Sequence, residues 1–464
     1  MKGDFSRWTF DPQKHFSQVL MQQGRVQLDA DWNEQAAIHS YLLRTLIQDI
    51  VGPHGGTGDS FCIRPAGRSF RILPGHYYAG GILCELDRLV SYAQQPNLPL
   101  APSVRTDGVY LAYLDVWERH VSYLEDGDGD EPGIREVALG GTDTATRARV
   151  VWQVKTLKLS ARQMRALGIR RIHSSGLEAS VDLDRFHQAW TGFAASQWQP
   201  ANRGLLKAWA GMPGGGAFPS GARYAGLENH LYRVEIHAGG DAGSATFKWS
   251  RENGSVVFPI LSISGKEVIL GHLGDSARSG LEVGDWVEIV DDDLTLTGLA
   301  EPLCQVTGID DEGRVMLNAP PATAREDRAK HPLLRRWDHG ADPTAPNGLH
   351  LDGASGAGRV WIDDGGPGGH ATWHLEDGIH VEFCRPGEST FRSGDYWLIP
   401  ARTATADVEW PGPAQDPAPL APHGVPHRYA PLAVLVTRDG GMAVVADCRL
   451  TFEPLARPAG NRRE

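Results

Sequence analysis

The sequence predicts a mainly β protein built from several small β-sandwich or barrel domains, one an SH3-like or related barrel, with an N-terminal arm and helix and a short helical insert. Three observations predict this. The 464 residues include 55 glycines and 30 prolines, the punctuation of a chain that turns often between short strands. Words rich in β-branched and aromatic residues recur along it, bounded by turn signals such as Glu252-Asn253-Gly254, Asp311-Glu312-Gly313 and Arg438-Asp439-Gly440-Gly441. Helical patterning is concentrated in two places, near the start and over 161–210.

Residues 1–60 are the first unit. Over 16–28 the chain alternates loosely (Val19, Met21, then Gly24, Val26, Leu28), which reads as a short strand or an extended arm. A helix follows over 29–50, with Asp29 or Asp31 expected to cap it by accepting a first-turn N–H. Trp32, Ala36, Leu43, Leu46, Ile47 and Ile50 fall near i, i+4, i+7 spacing and make one apolar stripe, interrupted by His39; Gly52-Pro53 stops the helix. Such a helix packs on its own domain or acts as a docking or oligomerising element, because coiled-coil seams and helix-in-groove contacts use the same spacing. Pattern alone leaves both open.

Residues 61–160 read as a β-domain: FRILPGHYYAGGILCELD is strand and turn, VYLAYLDVWERHVSYL a longer apolar strand, and VVWQVKTLKLS its partner. Residues 161–222 have helical composition and end in the linker GMPGGGAFPSGA. Residues 223–322 are the clearest β-domain, and from Gly280 onward they look like the small barrel, a closure that removes exposed sheet edges. Residues 323–464 begin with a charged stretch, 323–341, expected to be helical or irregular. They continue as a C-terminal β-domain with a proline-rich loop over 411–427.

A formal charge of −12 with acids and bases interspersed weighs against nucleic acid as a partner. No apolar run reaches the length of a membrane span, and the start lacks the apolar core of a secretion signal. The expectation is a chain made in the cytoplasm that stays there or leaves within an assembled particle. Cys62, Cys84, Cys304, Cys384 and Cys448 show no CxxC spacing, so buried hydrophobes are expected, with neither zinc site nor disulfide framework.

The best metal candidate is Asp126, Asp128 and Asp130, carboxylates at alternate positions among glycines. It fails as an EF-hand loop, with no glycine at the sixth place and Val137 where the bidentate glutamate belongs, so a solvated acidic turn is the simpler reading. The pairs His370/His374 and His423/His427 are four apart but carry no HExxH. Glu252, Asp285, Glu288, Asp363 and Asp364 could be paired on paper as glycosidase carboxylates, yet among 57 acids such a choice is free. No nucleophile or phosphate-loop signature is present, so no catalytic residue and no cofactor are assigned. Of fourteen tryptophans, Trp117, Trp152, Trp249, Trp286, Trp361, Trp373 and Trp397 sit in strand words and are core candidates; an exposed subset would suit stacking on sugar rings.

The stretches MKGDFSRWTFDP, KHFSQVLMQQGRVQLDADWNEQ, YLDVWERHVSYLED, EVALGGTDTATRARVVWQVK, LENHLYRVEIH, TFKWSRENGSVV and GDYWLIPARTATADVEW together resemble a family of bacterial proteins of unassigned biochemical function. Its members are encoded with phage-tail-like contractile injection systems, some fused to parallel β-helix or fibre-like segments. The resemblance runs from Met1 to about Leu455, and 19–35 also resembles the opening of some phage tail and baseplate proteins, where such an arm anchors to the particle. It implies a structural component at the baseplate or tail-fibre level whose partners are other subunits of the particle. Attachment would use Val19, Leu20, Met21, Gly24, Val26, Leu28 and Trp32, with Leu43, Leu46 and Ile50 as the helix seam. Tail-fibre analogy implies a homo-oligomer, a trimer by expectation. Two other readings stay open: a carbohydrate-binding or carbohydrate-cleaving surface protein taking a cell-surface glycan, and a cargo loaded into the particle.

Overall fold

The computed structural model describes the chain apart from residues 105, 128–132, 175, 200–202, 212–220, 222, 275–277, 311, 324–326, 343, 363–370, 385–389 and 455–464. Its β bodies are nested in sequence. The outermost is organised on a four-stranded antiparallel sheet ordered Gly441–Asp447, Arg428–Arg438, Gly108–Val121, Arg147–Lys158. Both faces of this sheet are covered. On one, Tyr110, Ala112, Leu114, Trp152 and Val154 pack with Phe61, Phe70, Tyr77 and Cys84, residues in and beside two smaller sheets built from residues 54–91 with Thr451–Phe452. On the other, Val109, Leu111 and Tyr113 pack against helical residues from 161–198. Double coverage explains why VYLAYLDVW reads as one apolar run and does not alternate.

The second body interrupts the first. It pairs Leu205–Ala210, Ile379–Cys384 and Thr372–His374 in one sheet and places His230–Ala238 between Thr246–Ser250 and Tyr396–Arg402 in another. Phe247, Trp373, Phe383 and Trp397 fill the space between them. The third interrupts the second: a closed barrel ordered Val257–Ser264, Glu267–Leu270, Arg314–Leu317, Cys304–Ile309, Trp286–Val290, Leu333–Trp337. Its interior holds Phe258, Val268, Val287, Val306, Val315 and Leu334.

The predicted mainly β class and closed barrel are present, with four differences of detail. The barrel opens at Val257, ahead of the expected Gly280. Its closing strand, Leu333–Trp337, lies where a helical or irregular stretch was expected, because Arg335 and Arg336 are buried there and make a core strand look like surface. Within 161–222, expected as a helical segment and linker with few strands, a hairpin, Ile169–Ser174 with Gly176–Val181, separates α2 (Ala161–Ala166) from α3 (Leu183–Trp198), and Leu205–Ala210 is a strand. Gly168, at φ +69°, turns the chain out of α2 after six residues. Last, residues 16–28 form no strand: they run as an irregular arm with one turn at Gly24, φ +70°.

Among the described residues no helix is long and apolar enough to cross a membrane. The five cysteines are unpaired, four of them buried.

Candidate functional site

Helix α1 (Asp29–Val51) ends where Gly52, at φ +93°, donates its N–H to the Gln48 carbonyl. Its start is not capped as expected. Leu28 occupies the cap position with no side-chain bond, and the Asp29 carboxylate accepts the backbone N–H of Ser6 instead, at 2.9 Å. Residues 5–10 run beside the helix, where the Thr9 hydroxyl donates to Glu34 and the Phe10 ring meets Tyr41. Farther along, Arg44 donates to Glu118 at 2.6 Å, and Gly81, at φ +78°, has no room for a side chain against the Arg44 backbone.

These contacts hold the helix by its polar flank. Only Ala30 and Ile38 of its 23 residues are buried. The apolar stripe faces outward: Trp32 is 80% exposed and Ile50 72%, with Leu42, Leu43 and Leu46 also exposed. The arm continues the same surface, with Val26 81% and Leu20 73% exposed beside Phe16, Met21 and Leu28. Val19 is half-buried, its N–H donated to the Gln35 side chain at 2.6 Å. Within 16–28 only Val19 and Arg25 donate a backbone hydrogen bond among the described residues, so the arm's main chain is as unsatisfied by protein as its side chains are. Isolated apolar residues on a surface are ordinary; this many on one arm and one helix stripe make a candidate interaction surface.

The second concentration of chemistry lies where the three bodies meet. There the first three residues enter the molecule: the Met1 amine donates to the Tyr396 hydroxyl at 3.2 Å, and Asn253 donates to the carbonyls of Met1 and Gly3. Asn253 is the centre of the predicted Glu252-Asn253-Gly254 turn and sits at φ +52°. Around it runs a buried chain of alternating charge. Lys2 pairs with Glu235 at 2.9 Å, Arg233 with Glu235 at 2.6 Å, and Lys248 with Glu288 at 2.6 Å beneath the Trp337 ring. Burial, partly offset by Glu235, pushes Lys2 down to about 8. Burial opposes the charge on Glu288, but Lys248 and Lys2 outweigh it and hold the carboxyl at about 2. Arg119 bridges Glu125 and Asp292, tying the outer body to the barrel's helix α4 (Asp292–Thr297). The sequence signal for this network lies in words such as LYRVEIH, whose polar positions Arg233, Glu235 and His237 are buried as fully as the apolar ones between them.

The remaining sequence candidates do not converge. Asp126 pairs with Arg149 at 2.7 Å, while Asp128 and Asp130 lie outside the described residues, and no cluster of three metal-ligating side chains occurs among those described. His370, Asp363 and Asp364 also lie outside them. His423 packs on Tyr396, whereas His427 bonds Asp115 and stacks on Trp117. Glu252 is held by His230 and Arg278, and Asp285 accepts the Glu282 N–H. Of the strand tryptophans, Trp117, Trp152, Trp249, Trp373 and Trp397 are buried and Trp286 and Trp361 half-buried; Trp8 and Trp32, at the N-terminal surface, are the exposed ones. Half-buried Trp209 and Trp410 line a separate cleft of about 430 Å³ with Gln415 and the Arg223–Asp407 pair.

Fold and surface together define a nested, mainly β protein that presents an apolar arm and helix. The chain belongs to a family of unknown function, DUF6519, whose model matches residues 1–182 and 195–458. No curated protein and no solved structure matches it.

Proposed function

We propose that this chain is a structural component, at the baseplate or tail-fibre level, of a phage-tail-like contractile injection particle, attached through its N-terminal arm and α1. One observation carries the attachment: Leu20, Met21, Val26 and Leu28 of the arm and Trp32, Leu43, Leu46 and Ile50 of α1 are exposed apolar side chains, while only Ala30 and Ile38 of the helix are buried. The resemblance of the sequence to proteins encoded with such particles supplies the setting. The partner that fits is another subunit offering a sheet edge to the largely unpaired main chain of 16–28 and an apolar groove to the helix. Cyclic symmetry in that particle would make the chain one copy of a trimer.

The test is retention. Particles are purified from a producing strain carrying either the natural chain or Val26→Asp/Trp32→Asp/Leu46→Asp, and the chain is quantified before and after the particles are emptied. The variant should melt with the natural protein, since it alters exposed positions, yet be lost from particles that keep the natural chain stoichiometrically. Equal retention of the variant overturns the attachment surface. Loss of the natural chain on emptying makes it cargo instead.

The glycan reading has one specific support, the Trp209–Trp410 cleft, in which an ion pair and an amide stand beside two indoles. Oligosaccharide binding that disappears in Trp410→Ala would favour it.

A further inference from the structure

The junction of the three bodies forms a half-open pocket of about 440 Å³. Of the described side chains lining it, eight are lysine or arginine and five are aspartate or glutamate, in a chain whose net charge is −12. Most of these cations have a carboxylate within ion-pairing distance. Lys2 and Arg233 share Glu235, Lys248 has Glu288, Arg119 has Glu125 and Asp292, Lys155 has Asp115, and Arg203 has Asp395. Glu118, also on the wall, is engaged by Arg44 of α1.

Two guanidiniums have no carboxylate within ion-pairing distance among the described residues, although Glu288, Glu125 and Glu235 act on Arg335 from farther off. Arg335 is 92% buried by its 8% exposure, yet it donates only to the Gly254 carbonyl, and its Nε–H has no partner among the described residues. Arg392, exposed at the pocket's edge, donates among the described residues only to the Trp198 carbonyl, at 3.0 Å. It also stands close to a like charge: burial first and then Arg392 hold the Arg203 guanidinium below its usual value. An arginine keeps its proton in a protein, so these charges cannot be relieved by titration. A guanidinium buried with no carboxylate in direct contact is imperfectly compensated. Guanidinium forks are matched by oxyanions, which accept two parallel N–H bonds.

We propose that this pocket binds a phosphate-bearing small molecule, drawn by the surplus of cations on its wall, of which Arg335 and Arg392 are the two without an ion-paired carboxylate among the described residues. The cavity is roomier than one phosphate requires, which leaves space for a second phosphate or an organic body beside Trp117.

Isothermal titration of the full chain, at matched ionic strength in chloride, tests this with inorganic phosphate, tripolyphosphate and adenosine monophosphate as probes and adenosine as the control. Arg392→Glu removes an exposed counter-charge without opening the core, and Arg88→Glu makes the same charge change at an exposed residue away from the cavity lining. The expected result is one-to-one binding of at least one phosphate probe with a Kd below about 1 mM. Arg392→Glu should weaken it by at least about tenfold and Arg88→Glu leave it unchanged. Which probe binds separates free phosphate, polyphosphate and phosphate ester as sources. Failure of every phosphate probe to bind the natural chain overturns the proposal. So does equal binding by Arg392→Glu, or equal weakening by Arg88→Glu.

Discussion

Helices α1 and α3 are both long and both carry a regular apolar stripe, but they use it in opposite ways. In α3, Phe186, Trp190, Phe193 and Ala194 are buried against the central sheet, Asp182 caps the first turn, and Trp198 stacks between Tyr113 and Tyr429. In α1 the stripe looks away from the protein, and the helix is held by Arg44–Glu118, Thr9–Glu34 and Ser6–Asp29 on its other side. Amphipathic spacing therefore tells where a helix could bind, and only the surroundings tell whether the chain itself supplies the partner. One stripe is buried in the fold, and the other stays exposed.

The sharpest way to break this comparison is to remove the anchor of the packed helix. Trp190→Ala leaves a large void under α3 and should cost about 3–5 kcal/mol, read as a fall in denaturant midpoint. A loss below about 1 kcal/mol would mean that α3 is no more integral than α1. Acid should discriminate next. His54 packs beside His187 of α3, and burial first, then His187, pushes His54 down to about 4 from an ordinary 6.5. The unfolded chain thus binds the proton first. The stability His54 contributes is complete above pH 6.5 and is lost as pH falls toward 4, at up to roughly 1.4 kcal/mol per unit. Hydrogen exchange at pH 7 and pH 5 should show α3 losing protection in this window, and His54→Phe should flatten the loss. The smallest effect concerns the seat of α1. Gly81→Ala forces a side chain into a left-handed residue and against the Arg44 backbone, at a cost of about 1–2 kcal/mol. Faster exchange should be confined to α1 and residues 75–86; spreading to the central sheet would show that α1 belongs to the core after all.

Much of the architecture was legible because strands and turns declare themselves locally. The closed barrel follows from hairpins such as the one at Gly313, and the arm residues 19–28 stand out as a distinct stretch. What was not legible depends on who packs against whom. Arg335 and Arg336 made a core strand look polar, since periodicity cannot tell a solvated charge from one buried in a network. The same blindness hid the junction, where the polar alternates of HLYRVEIHA face two other bodies and not water. The outward stripe of α1 was half visible: its spacing could be read, its exposure could not. Pairing of the first body's strands with those near residue 450 was beyond local signals altogether.

That nesting has a consequence for the order in which the protein comes into being. As the chain emerges in synthesis, the innermost barrel is complete once Trp337 is out, the second body next, and the outermost only when Thr451–Phe452 arrives beside His54–Thr57. Thr437 closes onto Thr106 from 331 residues away. At about 5–20 residues per second the apolar strand Gly108–Val121 waits roughly 15 to 65 seconds with one edge unpaired. The first domain begun is the last to fold, and for that interval it is the part of the newborn chain that most needs a chaperone.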